Sequence, residues 1–591
     1  MRFAYPRPQL ERAHWLSLDG PWRFRFDRER RYQHPDDVPD WPSRIEVPYP
    51  PESQASGIGE RGFNPACWYE REFEIDARGG RVLLHFGAVD YAAQVWVNGL
   101  RVGSHEGGHT PFRFDVTAAL DPSGRQVVTV LAEDDPADLT KPRGKQDWQL
   151  EPHSLWYPRT TGIWQTVWVE RVSRTYLDKI RWTPQVEGFS IDFEARIAGD
   201  PADELSIEVE LRHGERLLAS DRYRVIDREA DRRIVLSDPG IDDFRNELLW
   251  SPERPTLLDA TVTLFHGAER IDEARSYVGL RSFTILRDRL MLNGRPYFLR
   301  MVLDQGYWPD TLLSPPDDDA LRRDVELAKA MGFNGVRKHQ KIEHPRYLYW
   351  ADRLGLLVWG EMPSAYRFTK TAIRRTVREW TEAIERDYSH PCVVVWVPFN
   401  ESWGVPELNA VREQRHAVEA LYHLTKTLDP NRPVVGNDGW EASATDIIGI
   451  HDYDADPEAI RQRYGGDSTQ LFDRRRPGGR VLTLDGYPHR GQPIILTEFG
   501  GIAYVKCPAP GVTQGWGYSR VEDDASFGQR YRGLLDVVAH TTLFSGFCYT
   551  QFADTFQESN GLLCADRTPK IALATIAEAT GLTRTYIPGV V

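Results

Sequence analysis

Apolar and polar positions alternate along the first part of the chain. Several short segments place apolar side chains at every second position, the period of a strand with one buried face. These segments are REFEI (71–75), RVLLHF (81–86), AAQVWVNG (92–99) and QVVTVLAE (126–133). Asn98-Gly99, inside VWVNGLRVG (95–103), is a strong signal for a tight hairpin. The pattern predicts an antiparallel β-sandwich over residues 1–172.

A second β region follows, over residues 173–283. Its strand candidates are SIEVELRH (206–213), RRIVLSD (232–238) and LDATVTLFHG (258–267). A region of about 110 residues has the size of an immunoglobulin-like sandwich. We therefore expect a second, smaller sandwich here.

After residue 284 the pattern changes to short apolar strands that alternate with helical periodicity. One helix is predicted after Ser314-Pro315-Pro316, with Leu321, Val325, Ala328 and Met331 on one face. The strand candidates are YFLRMV (297–302), GVR (335–337), LLVWG (356–360), VVVWV (393–397), PVVG (433–436), DIIGI (446–450), PIILT (493–497) and GFCYT (546–550). Eight such units over about 300 residues are typical of a (β/α)8 TIM barrel. The sequence thus predicts a barrel over residues 284–591.

Composition narrows the class of protein. At 591 residues the chain is too long for one core, and its net charge of −14 argues against nucleic acid or an anionic membrane as partner. The five cysteines are too few and too scattered for a disulfide framework or a CxxC metal site. The N-terminus has no apolar core of a signal peptide, and no apolar run is long enough to span a membrane. A cytoplasmic protein is expected.

Two carboxylates follow strongly apolar strands of the predicted barrel. Glu401 comes after VVVWV, and Glu498 lies in PIILTEFGG. Barrel active sites are built at the carboxyl ends of the strands, and cleavage of a glycosidic bond uses two facing carboxylates. For one such glutamate taken alone, a helix cap or an ion pair with an arginine is the favoured explanation. Together, at strands four and seven, they predict a catalytic pair.

The sequence resembles glycoside hydrolase family 2. PFNESWG (398–404) and ILTEFGG (495–501) are similar to the acid/base and nucleophile motifs of that family. The resemblance runs along nearly the whole chain and includes FGAVDYAAQVWVNG (86–99), TTGIWQTVWVE (160–170) and YVGLRSF (277–283). It implies three parts: a jelly-roll-like, sugar-binding β-sandwich, an immunoglobulin-like β-sandwich and a catalytic TIM barrel.

The resemblance also implies roles for individual residues. Glu401 matches the acid/base, and Glu498 matches the nucleophile that forms a glycosyl-enzyme. Asn400 would bind the hydroxyl next to the anomeric carbon, and Arg337 would lie beside the nucleophile. Tyr453 would hydrogen-bond the nucleophile, with His451 as the competing candidate.

Some positions depart from the common patterns of the family. His339 is two residues beyond Arg337, where the familiar β-galactosidase pattern has three, and Trp403 after the acid/base is unusual. No clear Asn-x-Lys motif of the glucuronidases is present, with Lys506 a weak candidate. Further predicted pocket residues, for which a structural role is equally open, are Asp304, Trp308, Glu361, Asp438, Trp440, Gln551 and Asp554.

The leading hypothesis is a retaining exo-glycosidase of β-galactosidase type, on a pyranose or furanose, in an oligosaccharide or small glycoside. β-Glucuronidase, β-mannosidase and α-L-arabinosidase are the alternatives within the family. The chemistry needs no metal or organic cofactor, and a homo-oligomer stays open. Metal-assisted hydrolysis is disfavoured because the spacing of His339, His344, His451, Asp452 and Asp454 fits no standard ligand motif. A non-catalytic carbohydrate-binding protein would be expected to lack Glu401, Glu498 or Arg337.

Overall fold

The computed structural model describes residues 3–76, 79–236, 246–466, 469–475, 477–507 and 515–582. The fold class predicted from the sequence is confirmed: two β-sandwiches precede a parallel barrel. The end of the predicted strand RRIVLSD, at residues 237–238, lies outside the described residues.

The first sandwich packs a six-stranded sheet, in the order β3-β2-β4-β10-β7-β8, on a four-stranded sheet, β1-β12-β5-β9. Its strands are β1 Trp15–Ser17, β2 Gly20–Phe26, β3 Ser43–Val47, β4 Ala66–Glu74, β5 Arg81–Phe86, β6 Val89–Asp90, β7 Ala92–Val97, β8 Leu100–Glu106, β9 Phe112–Asp115, β10 Arg125–Glu133, β11 Gly162–Ile163 and β12 Val167–Val172. The alternating apolar residues of the sequence face one another between the two sheets.

The predicted hairpin is present between β7 and β8. Asn98 and Gly99 both adopt positive φ, at 51° and 78°. Two successive residues with positive φ define the turn whose twist matches that of the flanking strands. The long connection from β10 to β11, residues 134–161, leaves the sandwich and reaches the barrel.

The second sandwich has seven strands in sheets of three, β13-β14-β17, and four, β16-β15-β18-β19. These strands are β13 Thr175–Gln185, β14 Ser190–Gly199, β15 Leu205–His213, β16 Arg216–Arg224, β17 Glu229–Val235, β18 Leu258–His266 and β19 Glu269–Val278. A small antiparallel sheet then leads into the barrel, with strands β20 Phe283–Leu286, β21 Arg289–Leu292 and β22 Arg295–Pro296.

The barrel contains seven parallel strands in the order β26-β25-β24-β23-β31-β28-β27. They are β23 Leu299–Asp304, β24 Gly335–Lys338, β25 Leu357–Glu361, β26 Val393–Val397, β27 Ile448–Asp452, β28 Ile494–Gly500 and β31 Phe544–Thr550, with the short pair β29 Ile502–Ala503 and β30 Ser519–Arg520 beside them. The helices are α1 Asp318–Ala330, α2 Pro345–Leu354, α3 Lys370–Asp387, α4 Arg412–Leu428, α5 Pro457–Tyr464, α6 Thr469–Asp473, α7 Asp524–His540 and α8 Leu573–Thr580. Every residue of β26 is buried, which explains its continuous apolar run.

The predicted strand PVVG is irregular. It joins β26 through a single parallel bridge, Trp396 to Val434, and a second bridge, Asn400 to Asp438, follows beyond the ends of both segments. Side chains satisfy its other backbone groups: Val434 N donates to Asp446 Oδ2 (2.9 Å), and Gly436 N donates to the hydroxyl of Thr445 (3.2 Å). The segment fills the fifth position of the barrel without forming a regular ladder.

Helix α1 provides a test of the predicted core. Leu321 is fully buried, whereas Leu286 is 57% exposed. We expect Leu321→Ala to lower the free energy of unfolding by about 2–5 kcal/mol, because it leaves a cavity. The control Leu286→Ala should change it by less than about 0.5 kcal/mol. Urea denaturation followed by tryptophan fluorescence measures both, and equal losses would contradict the burial of this face.

Candidate active site

The carboxyl ends of the barrel strands carry a turn that is strained at its centre. Glu401 and Ser402, just beyond β26, both have positive φ, at 52° and 59°. Each such non-glycine residue costs about 1–2 kcal/mol. Two hydrogen bonds hold the turn: Glu401 N donates to Asp438 O (2.9 Å), and Ser402 N donates to Asn437 Oδ1 (3.0 Å). The turn fixes the direction of the Glu401 side chain.

Arg337, at the end of β24, is the centre of the charge network and is completely buried. It donates to Glu361 Oε2 (2.7 Å), Asn400 Oδ1 (2.7 Å) and Glu498 Oε1 (3.0 Å), and its Nη1 lies 2.8 Å from Asp438 Oδ2. Burial disfavours the guanidinium charge, but the surrounding carboxylates outweigh it and raise the pKa of Arg337. One cation therefore fixes side chains from four barrel positions.

Glu498 has a second oxygen that accepts from the hydroxyl of Tyr453, at 2.5 Å. The ring of Tyr453 stacks on Tyr518 with centroids 3.4 Å apart, and this contact fixes its orientation. His451 also approaches Glu498, with Nε2 3.4 Å from Oε1. Tyr453 and His451, the two residues predicted to compete for contact with Glu498, therefore both lie close to its carboxylate.

His451 lies between the two glutamates. Its Nδ1 is 2.7 Å from Glu401 Oε1, and its Nε2 is 3.3 Å from Asp438 Oδ2. Burial lowers the pKa of His451, but the charge of Glu498 and the hydrogen bonds of Asp438 and Glu401 raise it to about 10. Burial raises the pKa of Glu401, yet the hydrogen bond and charge of His451 prevail and lower it to about 2. The proton of this pair therefore rests on the imidazole.

The two glutamates are close together. One oxygen of Glu401, one nitrogen of His451 and one oxygen of Glu498 all lie within 4.8 Å of one another. These atoms could also hold a metal ion, as could those of the buried group Asp352, His390 and Cys392. At the first group the imidazolium already bridges the carboxylates.

Glu361, at the end of β25, holds Arg337 in place by accepting a hydrogen bond from its guanidinium. Burial raises the pKa of Glu361 to about 7, against the opposing charge of Arg337. Its second oxygen accepts from Gln340 N (3.0 Å) and lies 3.0 Å from His339 Nδ1. Burial and neighbouring cations lower the pKa of His339, so this imidazole is neutral. His339 and Glu361 thus belong to the same network as the catalytic candidates.

Two tryptophans that were predicted to be site residues contact Glu401 or His451. Trp403 Nε1 donates to Glu401 Oε2 at 3.3 Å, and the ring of Trp440 packs edge-on against His451, with centroids 5.6 Å apart. Trp403 also packs edge-on against Trp156 of the first sandwich, at 5.5 Å, and Tyr366, at 5.3 Å. Trp156 was not among the predicted site residues.

The other predicted pocket residues are held by their own partners. Asp304 accepts from Lys338 Nζ (2.5 Å), and Asp554 accepts from Lys570 Nζ (2.6 Å). Trp308 lies under Lys341 and Arg567, at 5.1 and 4.8 Å from its ring centre, and Gln551 bonds Gln305 and Asn560. In the described part of the chain, none of these four contacts Glu401 or Glu498 directly.

Sequence reasoning did not identify several residues of the site. Thr497 donates to Asp438 (2.8 Å), and Thr550 lies 3.3 Å from the Tyr453 hydroxyl. Both flank strand ends that had already been predicted, so a closer examination of those ends could have found them. Tyr518 and Trp156 come from distant loops, and no local pattern indicates them.

One disulfide joins Cys507 to Cys564, in the loops that follow β29 and β31. No spacing pattern indicates this pair, whose members are 57 residues apart. The other cysteines, Cys67, Cys392 and Cys548, are free and buried. Because disulfides are rare in a reducing cytosol, this bond gives no support to the expected cytoplasmic location. No helix among the described residues is long and apolar enough to cross a membrane.

Comparison with known proteins identifies the family. Residues 285–583 match the model "Glycosyl hydrolases family 2, TIM barrel domain", residues 36–167 the "sugar binding domain" of that family, and residues 175–281 a third model, "Glycosyl hydrolases family 2". Since the barrel model alone covers more than half of the chain, the protein belongs to glycoside hydrolase family 2.

Two curated relatives are named beta-galactosidase. That of Leuconostoc mesenteroides is 27% identical over 619 residues, covering 94% of this chain and 55% of the relative. That of Thermoanaerobacter pseudethanolicus is 28% identical over 385 residues, covering 64% and 49%. The chain thus spans about half the length of the curated relatives it matches.

Solved structures of similar fold are described as uronidases. A β-galacturonidase from Eisenbergiella tayi has a TM-score of 0.76 at 21% identity, with full coverage of both chains. A β-glucuronidase from Bifidobacterium dentium has a TM-score of 0.79 at 21% identity, covering 98% and 99%. At this identity the likeness supports the fold alone.

The raised pKa of His451 predicts a pH-dependent contribution to stability. A histidine whose pKa is about 10 when folded and 6.5 when unfolded stabilises the fold fully below pH 6.5, and this contribution disappears as the pH rises towards 10. We expect His451→Gln to be less stable than wild type at pH 6, with the difference shrinking at pH 9 to 10.

Urea denaturation at several pH values measures the difference. His540→Gln is the matched control, because its side chain is 59% exposed and lies outside the site. It should track wild type at every pH. A deficit for His451→Gln that stays constant from pH 6 to 10 would contradict a protonated His451.

Proposed function

We propose that the protein is a retaining exo-glycosidase of β-galactosidase type, acting on a terminal pyranose or furanose. The observation that carries this proposal is that oxygens of Glu401 and Glu498 lie within 4.8 Å of each other. Retaining enzymes hold their two carboxyl groups about 5–5.5 Å apart, whereas inverting enzymes need about 6.5–9.5 Å to admit a water. The spacing supports direct attack by one carboxylate.

In the first step Glu498 attacks the anomeric carbon, while Glu401 protonates the leaving oxygen. Arg337 and Tyr453 orient the Glu498 carboxylate, since each bonds one of its oxygens. The amide nitrogen of Asn400 is buried and has no hydrogen-bond partner among the described residues, so it is available to donate to the sugar hydroxyl next to the reacting carbon. A glycosyl-enzyme results.

The proton for the leaving group is stored beside Glu401. His451 Nδ1 lies 2.7 Å from Glu401 Oε1, so the imidazolium passes its proton to the carboxylate as the bond breaks. The attack by Glu498 removes one negative charge near His451, which lowers the pKa of the imidazolium and favours this transfer. In the second step Glu401 accepts a proton from water as the water displaces Glu498 from the sugar, and that proton then returns to His451, which restores the starting state.

The choice of a galactoside is supported by the two relatives named beta-galactosidase. The likeness to uronidase structures keeps β-glucuronidase as an alternative, together with β-mannosidase and α-L-arabinosidase. Lys506, the one weak candidate for a carboxylate-binding motif, is engaged elsewhere, because its Nζ donates to Asp524 (2.8 Å) and to Lys570 O (2.6 Å). Because Lys506 is engaged in these two contacts, a galactosidase is favoured over a glucuronidase.

The proposal also covers the domains of the chain, the class of substrate and the cellular location. It assigns catalysis to residues 284–591, with residues 1–172 and 173–283 as the two sandwiches. The substrate is an oligosaccharide or small glycoside, without nucleic acid, membrane or cofactor, in a cytoplasmic setting. A homo-oligomer is compatible with this function.

Hydrolysis of p-nitrophenyl glycosides tests the function. The panel comprises β-galactopyranoside, β-galactofuranoside, β-glucuronide, β-mannoside, β-glucoside and α-L-arabinosides. We expect one strong activity, lost by at least about 10³-fold in Glu498→Ala because the nucleophile is missing. Glu326→Ala, at a side chain 45% exposed on α1, is the control and should keep full activity.

The same assay separates the competing readings. Proton NMR of the first product should give the anomer of the substrate, as double displacement requires. Release of the opposite anomer would contradict the retaining mechanism. Full activity in Glu498→Ala would remove the proposed nucleophile, and bound sugar without turnover in wild type would favour the non-catalytic carbohydrate-binding protein.

The proton store on His451 predicts a change in the pH profile. In wild type the acid form persists until His451, with a pKa of about 10, loses its proton. In His451→Gln the proton must sit on Glu401 itself, which ionises at lower pH. We expect the alkaline limb of kcat/KM to move down by more than about one pH unit. An unchanged limb would show that His451 does not supply the proton.

A further inference from the structure

The connection between β10 and β11 of the first sandwich is fastened to the top of the barrel. Arg143 N and Gly144 N both donate to Ser364 O (3.1 Å each), and the hydroxyl of Tyr366 donates to Gly144 O (2.6 Å). Gly144 has φ of +60°, and a Cβ there would lie 2.3 Å from Gln340 O. Only glycine permits this approach, so the next residue is delivered to the carboxyl ends of the strands.

That next residue is Lys145, which is 7% exposed. Its carbonyl accepts from Tyr157 N (2.8 Å), and the hydroxyl of Tyr157 donates to Glu558, in the loop after β31. On its other side Gly144 touches Gln340, the neighbour of His339. The backbone of Lys145 is thereby held between the loops that follow β24 and β31.

The ammonium of Lys145 differs from the other buried cations of the site. Arg337, Lys338 and Lys570 each pair with a carboxylate. For Lys145, by contrast, the described residues provide neither a carboxylate within 4.0 Å nor a side-chain hydrogen bond. Its charge acts on Glu401, whose pKa it helps to lower.

The charge of Lys145 also reaches two other loops. After burial, it is the largest influence that lowers the pKa of His339 and the largest that opposes the raised pKa of Glu558. The three affected side chains follow β24, β26 and β31. The backbone contacts of residues 143–145 with Ser364 and Gln340 lie in the loops after β25 and β24, at the end of the barrel that carries Glu401 and Glu498.

We propose that Lys145, contributed by the first sandwich, is a substrate-binding residue whose ammonium donates a hydrogen bond to an oxygen of the sugar that is cleaved. The acceptor is a hydroxyl or a carboxylate of that sugar. The described residues leave the three donors of this ammonium without an acceptor, so they are available to such a group. The inference rests on the proposed glycosidase function and adds a recognition residue from outside the barrel.

Substitution of Lys145 tests the proposal with the p-nitrophenyl panel, whose aglycone carries no sugar. Lys145→Met keeps the length of the side chain and removes the donor. We expect kcat/KM for the best substrate to fall about 10- to 100-fold, as for the loss of one charged hydrogen bond, with a rise in KM. Lys145→Arg should recover part of the loss. The control Lys179→Met, at a side chain 46% exposed on β13, should match wild type.

The acceptor is identified by comparing neutral and acidic substrates. If it is a hydroxyl, the loss in Lys145→Met appears on a neutral galactoside. If it is a carboxylate, wild type prefers a β-galacturonide or β-glucuronide, and Lys145→Met loses that preference. A kcat/KM within about twofold of wild type on every substrate, in a variant of unchanged melting temperature, would reduce Lys145 to a charge that balances Glu401 and Glu558, and the proposal would fail.

Binding keeps the proposal independent of turnover. Galactose and galacturonate are titrated into wild type, Glu498→Ala and Lys145→Met by calorimetry. Weaker sugar binding in Lys145→Met alone supports the role of Lys145 in substrate binding, even if wild type hydrolyses no substrate. The lack of hydrolysis would separately contradict the glycosidase function. Equal binding in all three proteins, or binding in none, would overturn the proposal.

Discussion

The architecture of the site depends on one buried cation. Arg337 has no exposed surface and contacts side chains that follow three other barrel strands and the irregular fifth segment. A buried ion is tolerated only when its charge and donors are matched, and removing Arg337 would take away the hydrogen bond of Glu361 and leave Asp438 and Glu498 to share the charge of His451. The position of Glu498, the candidate nucleophile, is thus set by the same interaction that neutralises the interior. Stability and catalytic geometry cannot be separated at this residue.

A second cation connects the two glutamates. His451 is held protonated by Glu498, Asp438 and Glu401, although burial alone would favour its neutral form. The imidazolium thereby screens two carboxylates that would repel each other at such a short distance. It also places a proton next to the acid/base candidate, while Tyr453 binds the opposite oxygen of Glu498. Charge balance and proton supply therefore come from one side chain.

The first sandwich takes part in the site and does more than support the barrel. Its connection between β10 and β11 brings Lys145 to the mouth of the barrel and Trp156 against Trp403. Tyr157 adds a direct contact to Glu558. A barrel without this connection would keep Glu401, Glu498 and Arg337 but lose the contacts of Trp403 with Trp156 and of Glu558 with Tyr157. This dependence gives a physical reason for the two units to occur in one chain.

The sequence by itself determined the elements and the chemistry that local patterns encode. Period-two alternation indicated the sandwiches, and short apolar runs indicated eight barrel strands, of which seven form the regular parallel ladder. Glu401 and Glu498 were predicted from the ends of those runs, and Asn400 from the resemblance to the family. The tertiary structure decided the rest: the bridging place of His451, the contacts of Lys145 and Trp156, the disulfide of Cys507 with Cys564, and the irregular fifth strand. These features join residues far apart in the chain, such as Arg337 and Glu498, which are separated by 161 positions. Their proximity is fixed by barrel closure and domain packing, which leave no periodic signal in the sequence.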